Sequence, residues 1–335
     1  MEANRVRWGV LGCSAIAERR ALPALHDTDG SEITGVASRT AARAERFAAE
    51  HGGTAMTYEQ LIDSPDVDAI YLSLPNSLHF DWTKRALHAG KHVLCEKPMT
   101  VSAERTDELV ALAAERGLVL RENFAFLHHP QHDVVRELVA RGRLGRLRTF
   151  SSAFGIPSPK PGDIRYDPAL GAGSLLDVGV YPIRAAQLML GDGLTVAGAT
   201  LRVDSETGVD MAGHALLVSE NGVFADLEFG FQHSYRSRYA LWGDAARLSL
   251  ERAFTPPAEH RPLLRLDEQD HAEEFVLDAS HQFRDSLASF AAAVRDGRSA
   301  EDERPWLRAA RETARLVEAV QGVAVRVKQR GAIPS

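Results

Sequence analysis

Between residues 6 and 121, short apolar segments alternate with helical patterns, and this alternation narrows the fold more than any other feature of the chain. The segments 6–11 (VRWGVL), 32–38 (EITGVAS), 69–74 (AIYLSL), 91–95 (KHVLC) and 118–121 (LVLR) read as strands. Helices are predicted from Gly12 to about Leu25 and over 41–51, 77–89 and 102–116, the last stopped by Gly117. A helix between consecutive apolar strands lets them run parallel and covers both faces. The expectation is a doubly wound α/β sheet.

After residue 122 the pattern changes. A helix is predicted over 131–141, followed by alternating strand-like runs at 146–154, 196–203, 211–219, 222–231, 235–242 and 245–250. Asn221-Gly222 between two apolar runs marks a hairpin. Consecutive strands without intervening helices predict a largely antiparallel sheet. Helices near 281–295 and 303–321 close the chain. The expected organisation is an α/β domain over 1–121 and an α+β domain over 122–335, which suits a chain of 335 residues.

Composition removes several function classes. With 44% hydrophobic and 25% charged residues, the chain can bury a core without metals or disulfides. A net charge of −7 disfavours nucleic acid, whose backbone calls for a basic surface. Two cysteines, Cys13 and Cys95, offer no disulfide framework and suit a reducing cytoplasm. The start, MEANRVRWGV, has no apolar signal core, and no run approaches the roughly 18 apolar residues of a membrane helix. No membrane partner is expected.

The first strand opens into Gly12-Cys13-Ser14-Ala15-Ile16-Ala17, a loosened dinucleotide fingerprint with Ser14 and Ala17 at the later glycine positions. Gly12 permits the tight turn, and small residues let the backbone approach a pyrophosphate at the helix N-terminus. An ordinary strand–helix turn would read the same way, but the position at the first crossover favours the dinucleotide. The second strand ends at Ser38-Arg39, where an enzyme using NAD places an acid for the ribose 2′-hydroxyl. Arg39 and Ser38 instead offer donors suited to a 2′-phosphate, which predicts NADP(H).

Three further stretches, Leu74-Pro75-Asn76-Ser77-Leu78-His79, Glu96-Lys97-Pro98 and Leu176-Asp177-Val178-Gly179-Val180-Tyr181, join the Gly12 turn in a known order and spacing. Over nearly its whole length the chain resembles the glucose–fructose oxidoreductase/inositol dehydrogenase family. Glu122-Asn123-Phe124 through His128-His129, the loop Gly162 to Tyr166 and the run Gly173 to Pro182 look most like the sugar 3-ketoreductases of deoxysugar and antibiotic biosynthesis. The resemblance implies a Rossmann domain and a second domain whose open-faced sheet forms the contacts of a dimer or tetramer. It implies that Cys13 to Ala17, Ser38, Arg39, Tyr58, Leu74, Asn76, His79 and Glu96 line the cofactor, and that Lys97 and Tyr181 stand at the reacting carbon. Many members carry His where this chain has Tyr181, which argues against a polyol dehydrogenase site.

The residues support the chemistry independently. Lys97 follows a strand, at the edge where open α/β sheets bind ligands, and Pro98 biases it toward an extended backbone. An ammonium there stabilises the alkoxide that hydride transfer creates, and either it or a phenol delivers the proton. Tyr181 lies four residues after Asp177, on one face if the segment is helical. Asp177 reads either as a substrate hydroxyl contact or as a helix N-cap. Arg165, in the loop from Pro157 to Gly173, suits a substrate or its diphosphate, or reads as an exposed structural arginine. His128-His129 has no accompanying ligand set, and no metal is expected. The leading expectation is NADPH-dependent reduction of the C3 ketone of a nucleotide-linked, dTDP-type keto-deoxysugar. The alternatives are an NADP-dependent dehydrogenase of a free sugar or trans-dihydrodiol, and a non-catalytic NADP-sensing regulator.

Overall fold

The computed structural model describes residues 5–329. The chain divides into two compact units, Met1–His128 with Gln282–Arg311, and His129–His281 with Glu312–Ser335. The reading of one boundary after residue 121 differs from this division because residues 282–311 return to the first unit. That return is a long-range packing choice which local pattern does not carry.

In the first unit, β1 (Val6–Leu11) leads through a π-helical stretch, Ala17–Ala21, into α1 (Leu22–His26). Then follow β2 (Ser31–Ala37), α2 (Ala41–His51), β3 (Thr54–Met56), α3 (Tyr58–Asp63), β4 (Ala69–Leu72), α4 (His79–His88), β5 (His92–Glu96), α5 (Ala103–Arg116) and β6 (Leu120–Asn123). All six strands are parallel, in the order β3-β2-β1-β4-β5-β6. This is the doubly wound sheet expected from the alternation. The short pair β3 and α3 was not anticipated, although Thr57 and Gln60 form a capping box at the start of α3.

Alternate residues along these strands enter opposite cores. Trp8, Val10, Tyr71 and Leu94 belong to one cluster, and Leu11, Ile70, Leu72, Val93 and Cys95 to the other. The returning segment covers both. Leu287, Phe290 and Ala291 of α8 (Gln282–Arg295) join the first cluster, while Leu307 and Ala310 of α9 (Ala300–Val323) join the second. Trp8 and Phe290 rings lie 5.3 Å apart.

A buried ion pair fixes this return. Arg121 on β6 donates from Nε and Nη2 to the Glu303 carboxylate at 2.7 and 2.6 Å, with each side chain only 2% exposed. Its guanidinium also donates to Ser289 Oγ and lies 4.7 Å from the Trp306 ring centre.

The second unit holds α6 (Gln131–Ala140), β7 (Leu147–Gly155), α7 (Val180–Leu190) and the strands β8 (Thr195–Asp204), β9 (Asp210–Val218), β10 (Phe224–Gly230), β11 (Arg236–Gly243), β12 (Arg247–Glu251), β13 (Leu263–Asp267), β14 (Ala272–Val276) and β15 (Val325–Gln329). They form one nine-stranded sheet, β14-β13-β12-β11-β7-β10-β9-β8-β15. The sheet is mostly antiparallel, but β10 pairs with β7, and β15 with β8, in parallel. The expected hairpin joins β9 to β10, closed by Gly222 N–H to Ser219 O with Gly222 at φ +75°. Strands β13, β14 and β15 were not anticipated.

Along β10 the side chains alternate cleanly. Ala225, Leu227 and Phe229 are buried, whereas Phe224, Asp226 and Glu228 are exposed. Beneath the inner face, His132 Nδ1 lies 2.8 Å from the Tyr239 hydroxyl, and burial brings its pKa down to about 3. It is a neutral core histidine.

Replacing Arg121 by Ala should strand a buried carboxylate and lower stability by about 3–5 kcal/mol. The exposed Arg141–Glu137 pair of α6 makes the control, since Arg141→Ala should cost less than about 1 kcal/mol. Urea unfolding measures both, and a loss at Arg121 no larger than at Arg141 would contradict the assignment.

Candidate active site

In the first unit, the candidate residues converge on the carboxyl ends of β1, β2, β4 and β5. Gly12 has φ +107°, and a Cβ there would stand 2.8 Å from Ser73 O and 3.0 Å from Leu74 Cδ2. Gly12 N–H donates to Ala37 O, Ser73 N–H to Leu11 O, and Ser73 Oγ to Gly12 O at 2.7 Å. A glycine is therefore required for contact with the end of β4 and not only for the turn. Ser73 was missed by the sequence reading, since a lone serine at a strand end carries no signal.

The turn Cys13-Ser14-Ala15 then opens a helix whose first bonds are Ala17 N–H to Ser14 Oγ and Glu18 N–H to Ser14 O. The amides of Ala15 and Ile16 precede those bonds, the arrangement that favours an anion at a helix start. Ile16 is partly exposed and Ala17 buried. Cys13 is buried, its thiol against Ala37 O and Ser38, and burial raises its pKa. It serves as a small apolar residue.

At the end of β2, Ser38 is half-buried and Arg39 exposed. Tyr58, at the start of α3, takes the Arg39 backbone N–H on its hydroxyl and packs edge-on against Trp82 at 4.9 Å. Cys13, Ser38, Arg39 and Tyr58 thus form one cluster, with the Arg39 guanidinium facing solvent. Small turn residues, a helix start and an exposed arginine fit a dinucleotide carrying a 2′-phosphate.

Leu74 and His79 frame the next segment. His79 is fully buried, its Nδ1 2.7 Å from Pro98 O and its Nε2 2.8 Å from Leu74 O. Burial lowers its pKa, and the two carbonyls oppose that. With both nitrogens on backbone, His79 joins the ends of β4 and β5. Asn76 opens the short 3-10 turn Asn76–Leu78 between them.

Lys97 follows β5 directly, and the Lys97–Pro98 bond is cis. Beside it, the buried Glu96 accepts Tyr71 Oη at 2.8 Å and Asn123 Nδ2 at 2.7 Å on one carboxylate oxygen. Asn123 Oδ1 in turn accepts Ser286 Oγ at 2.8 Å.

In the second unit, a π-helical stretch, Leu175–Gly179, runs into α7 and makes the segment bearing Asp177 and Tyr181 helical. Gly179 is needed, since a Cβ would lie 2.9 Å from Phe229 Cδ2. The N-cap role considered for Asp177 belongs instead to Asp210 of β9, which accepts Leu175 N–H (2.7 Å) and Ser174 Oγ (2.8 Å). Burial raises the Asp210 pKa, and those two donors hold it back. No local spacing marks a cap supplied from 35 residues away. Asp177 pairs with Arg165, Nε to Oδ2 at 2.6 Å, and Arg165 also meets Asp163 at 3.2 Å. Tyr181 is half-buried, edge-on to Phe154 at 5.0 Å and tilted on Phe254 at 5.6 Å. Its ring is held by aromatics.

His128 stacks on Trp306 at 5.3 Å, and His129 Nδ1 accepts Gln131 N–H. Among the described residues, no group of three or more His, Cys, Asp or Glu is placed to hold a metal ion. No helix among them is long and apolar enough to cross a membrane.

Residues 6–124 match the GFO/IDH/MocA oxidoreductase family with an NAD-binding Rossmann fold, and residues 132–249 match the C-terminal domain of the same family. The chain belongs to the GFO/IDH/MocA family. Within it, the chain is 48% identical over 320 residues to a dTDP-3,4-didehydro-2,6-dideoxy-alpha-D-glucose 3-reductase of Actinomadura kijaniata, covering 95% of this chain and 96% of that one. A structure of a 3-ketoreductase from Actinomadura kijaniata, in complex with NADP and TDP-benzene, superimposes with a TM-score of 0.95 at 46% identity, covering 98% of this chain and 100% of the other. A D-xylose 1-dehydrogenase (NADP(+)) of Haloferax volcanii is 35% identical, covering 87% and 89%. The fold and family implied by the sequence resemblance are thus established.

Proposed function

We propose that this GFO/IDH/MocA enzyme uses NADPH to reduce the C3 ketone of a dTDP-linked keto-deoxyhexose in deoxysugar biosynthesis. One observation carries the reading: near-full-length identity of 48% to a reductase of that substrate class, against 35% to a free-sugar dehydrogenase. The free-sugar alternative needs no pocket for a base and diphosphate. The regulator alternative requires neither Lys97 nor Tyr181.

Bound NADPH supplies the hydride. The turn from Gly12 to Ala17 holds the pyrophosphate on helix amides, while Ser38 and Arg39 meet the 2′-phosphate. Tyr58, Leu74, Asn76, His79 and Glu96 complete or support that wall. As hydride reaches C3, the Lys97 ammonium stabilises the alkoxide and can hand it a proton. Tyr181, its ring fixed by Phe154 and Phe254, offers a phenolic donor to the substrate. Arg165 and Asp177, already paired, orient substrate hydroxyls or phosphate as a unit.

We further propose a cytoplasmic homo-oligomer, dimer or tetramer, assembled through the outer face of the nine-stranded sheet. Phe224 and Trp242, 51% and 61% exposed, both register with Thr149 of β7, so two aromatics flank one position on an open face.

Three outcomes follow. Arg39→Ala should weaken NADPH by about 1.5–3 kcal/mol and leave NADH nearly unchanged. Equal losses for both cofactors in a fluorescence titration would remove Arg39 from 2′-phosphate recognition. With a dTDP-keto-deoxysugar in stopped flow, Lys97→Ala should lower kcat more than Tyr181→Phe, within the roughly 10²–10⁴-fold of general-acid help. No turnover by the parent enzyme, or no slowing in either variant, would refute the activity or the site. Light scattering should give a multiple of 36.6 kDa at micromolar concentration, reduced by Trp242→Asp, whereas a monomer would refute the interface.

A further inference from the structure

Behind Lys97 lies a buried polar chain that local sequence does not explain. Ser286 of α8 donates to Asn123, Asn123 and Tyr71 donate to one oxygen of Glu96, and the Lys97 backbone N–H reaches the same carboxyl. Glu96 is 8% exposed, Asn123 3% and Tyr71 fully buried. Side chains of β4 and β6 therefore converge on a single carboxylate immediately before the candidate acid, with α8 behind them through Asn123. Ordinary packing does not call for an acid there, because burying one is costly unless it is hydrogen-bonded and paired with charge.

We propose that Glu96 is the positioning residue of Lys97, fixing its backbone through the carboxylate and holding its side chain as the ammonium by charge. Both side-chain donors fall on one oxygen, which therefore acts as an acceptor. Burial pushes the Glu96 carboxyl up from its ordinary range, and the Lys97 charge heads the influences that bring it back, followed by Tyr71 and Asn123. Among the described residues, titratable groups against this segment include Cys95, whose thiol burial keeps neutral, Glu122, which accepts Met99 N–H, and the buried His79. Of these only Glu122 adds negative charge, and it is committed to the backbone beyond Pro98.

The kinetic part rests on the reading of Lys97 as the proton source, and the charge part does not. If Lys97 must be protonated for ketone reduction, activity falls as pH rises through its pKa. Removing the neighbouring negative charge lowers that pKa, so the alkaline limb of kcat moves to lower pH, by on the order of one unit. Glu96→Gln keeps the hydrogen-bonding shape and removes the charge, while Glu96→Asp keeps the charge and shortens the reach. A charge role ranks Gln as the more damaging change; a purely structural role ranks Asp as the more damaging.

The chain has five lysines, so the Cε resonances of ¹³C-lysine-labelled enzyme, with Lys97→Arg for assignment, read Lys97 directly without turnover. The expected result is a downward shift of Lys97 titration and of the alkaline limb in Glu96→Gln, with Glu96→Asp near the parent limb. Unshifted Lys97 titration in Glu96→Gln would overturn the proposal, as would Glu96→Asp moving the limb further than Glu96→Gln. Should Lys97 titration shift while the alkaline limb stays in place, Glu96 is upheld and Lys97 loses its assigned role in the reaction. If Glu96→Asp does not fold, the resonance shift in Glu96→Gln alone decides.

Discussion

The closure between the ends of β1 and β4 governs the rest of the candidate site. Gly12 sits where any side chain would collide with Ser73, and Ser73 ties the two strand ends together through its amide and its hydroxyl. That close approach sets where the Cys13-Ser14-Ala15 turn leaves the sheet and where its helix begins. His79 repeats the device one strand further on, between Leu74 and Pro98. Parallel strands all end at one edge, so two short closures suffice to bring the turn, the Ser38-Arg39 corner and Lys97 into one row.

Buried charge in this protein is kept in pairs or networks. Arg121 and Glu303 anchor the returning helices, Glu96 gathers donors from β4 and β6, and Asp210 caps the helix bearing Tyr181. Each would be expensive alone, and each links segments far apart in the chain. The second unit follows the same rule in its loop, where Arg165 is held by Asp163 and Asp177. A preorganised pair presents a defined donor and acceptor face and loses little freedom when a polar ligand arrives.

Much of this was legible in the chain because it follows from local periodicity. The parallel sheet follows from apolar strands alternating with helices, and the β9–β10 hairpin from Asn221-Gly222 between two apolar runs. The turn at Gly12, the corner at Ser38-Arg39 and the position of Lys97 after a strand are similarly local, which is why their neighbourhood could be named in advance. Strand β3 escaped because three residues carry too little pattern to separate from loop.

What tertiary structure alone decided is which distant groups complete those local motifs. Nothing near Asp177 indicated that Asp210 would supply the cap or that Arg165 would take its carboxylate. The sequence around residues 282–311 showed helices but not that they pack on the first sheet through Phe290 and Leu307 and lock there through Glu303. Periodicity reports which face of an element is apolar; it does not say which other face will cover it. Hydrogen bonds across 100 or more residues depend on that choice, so the sequence determined the elements and the candidate chemistry, and the packing decided their partners.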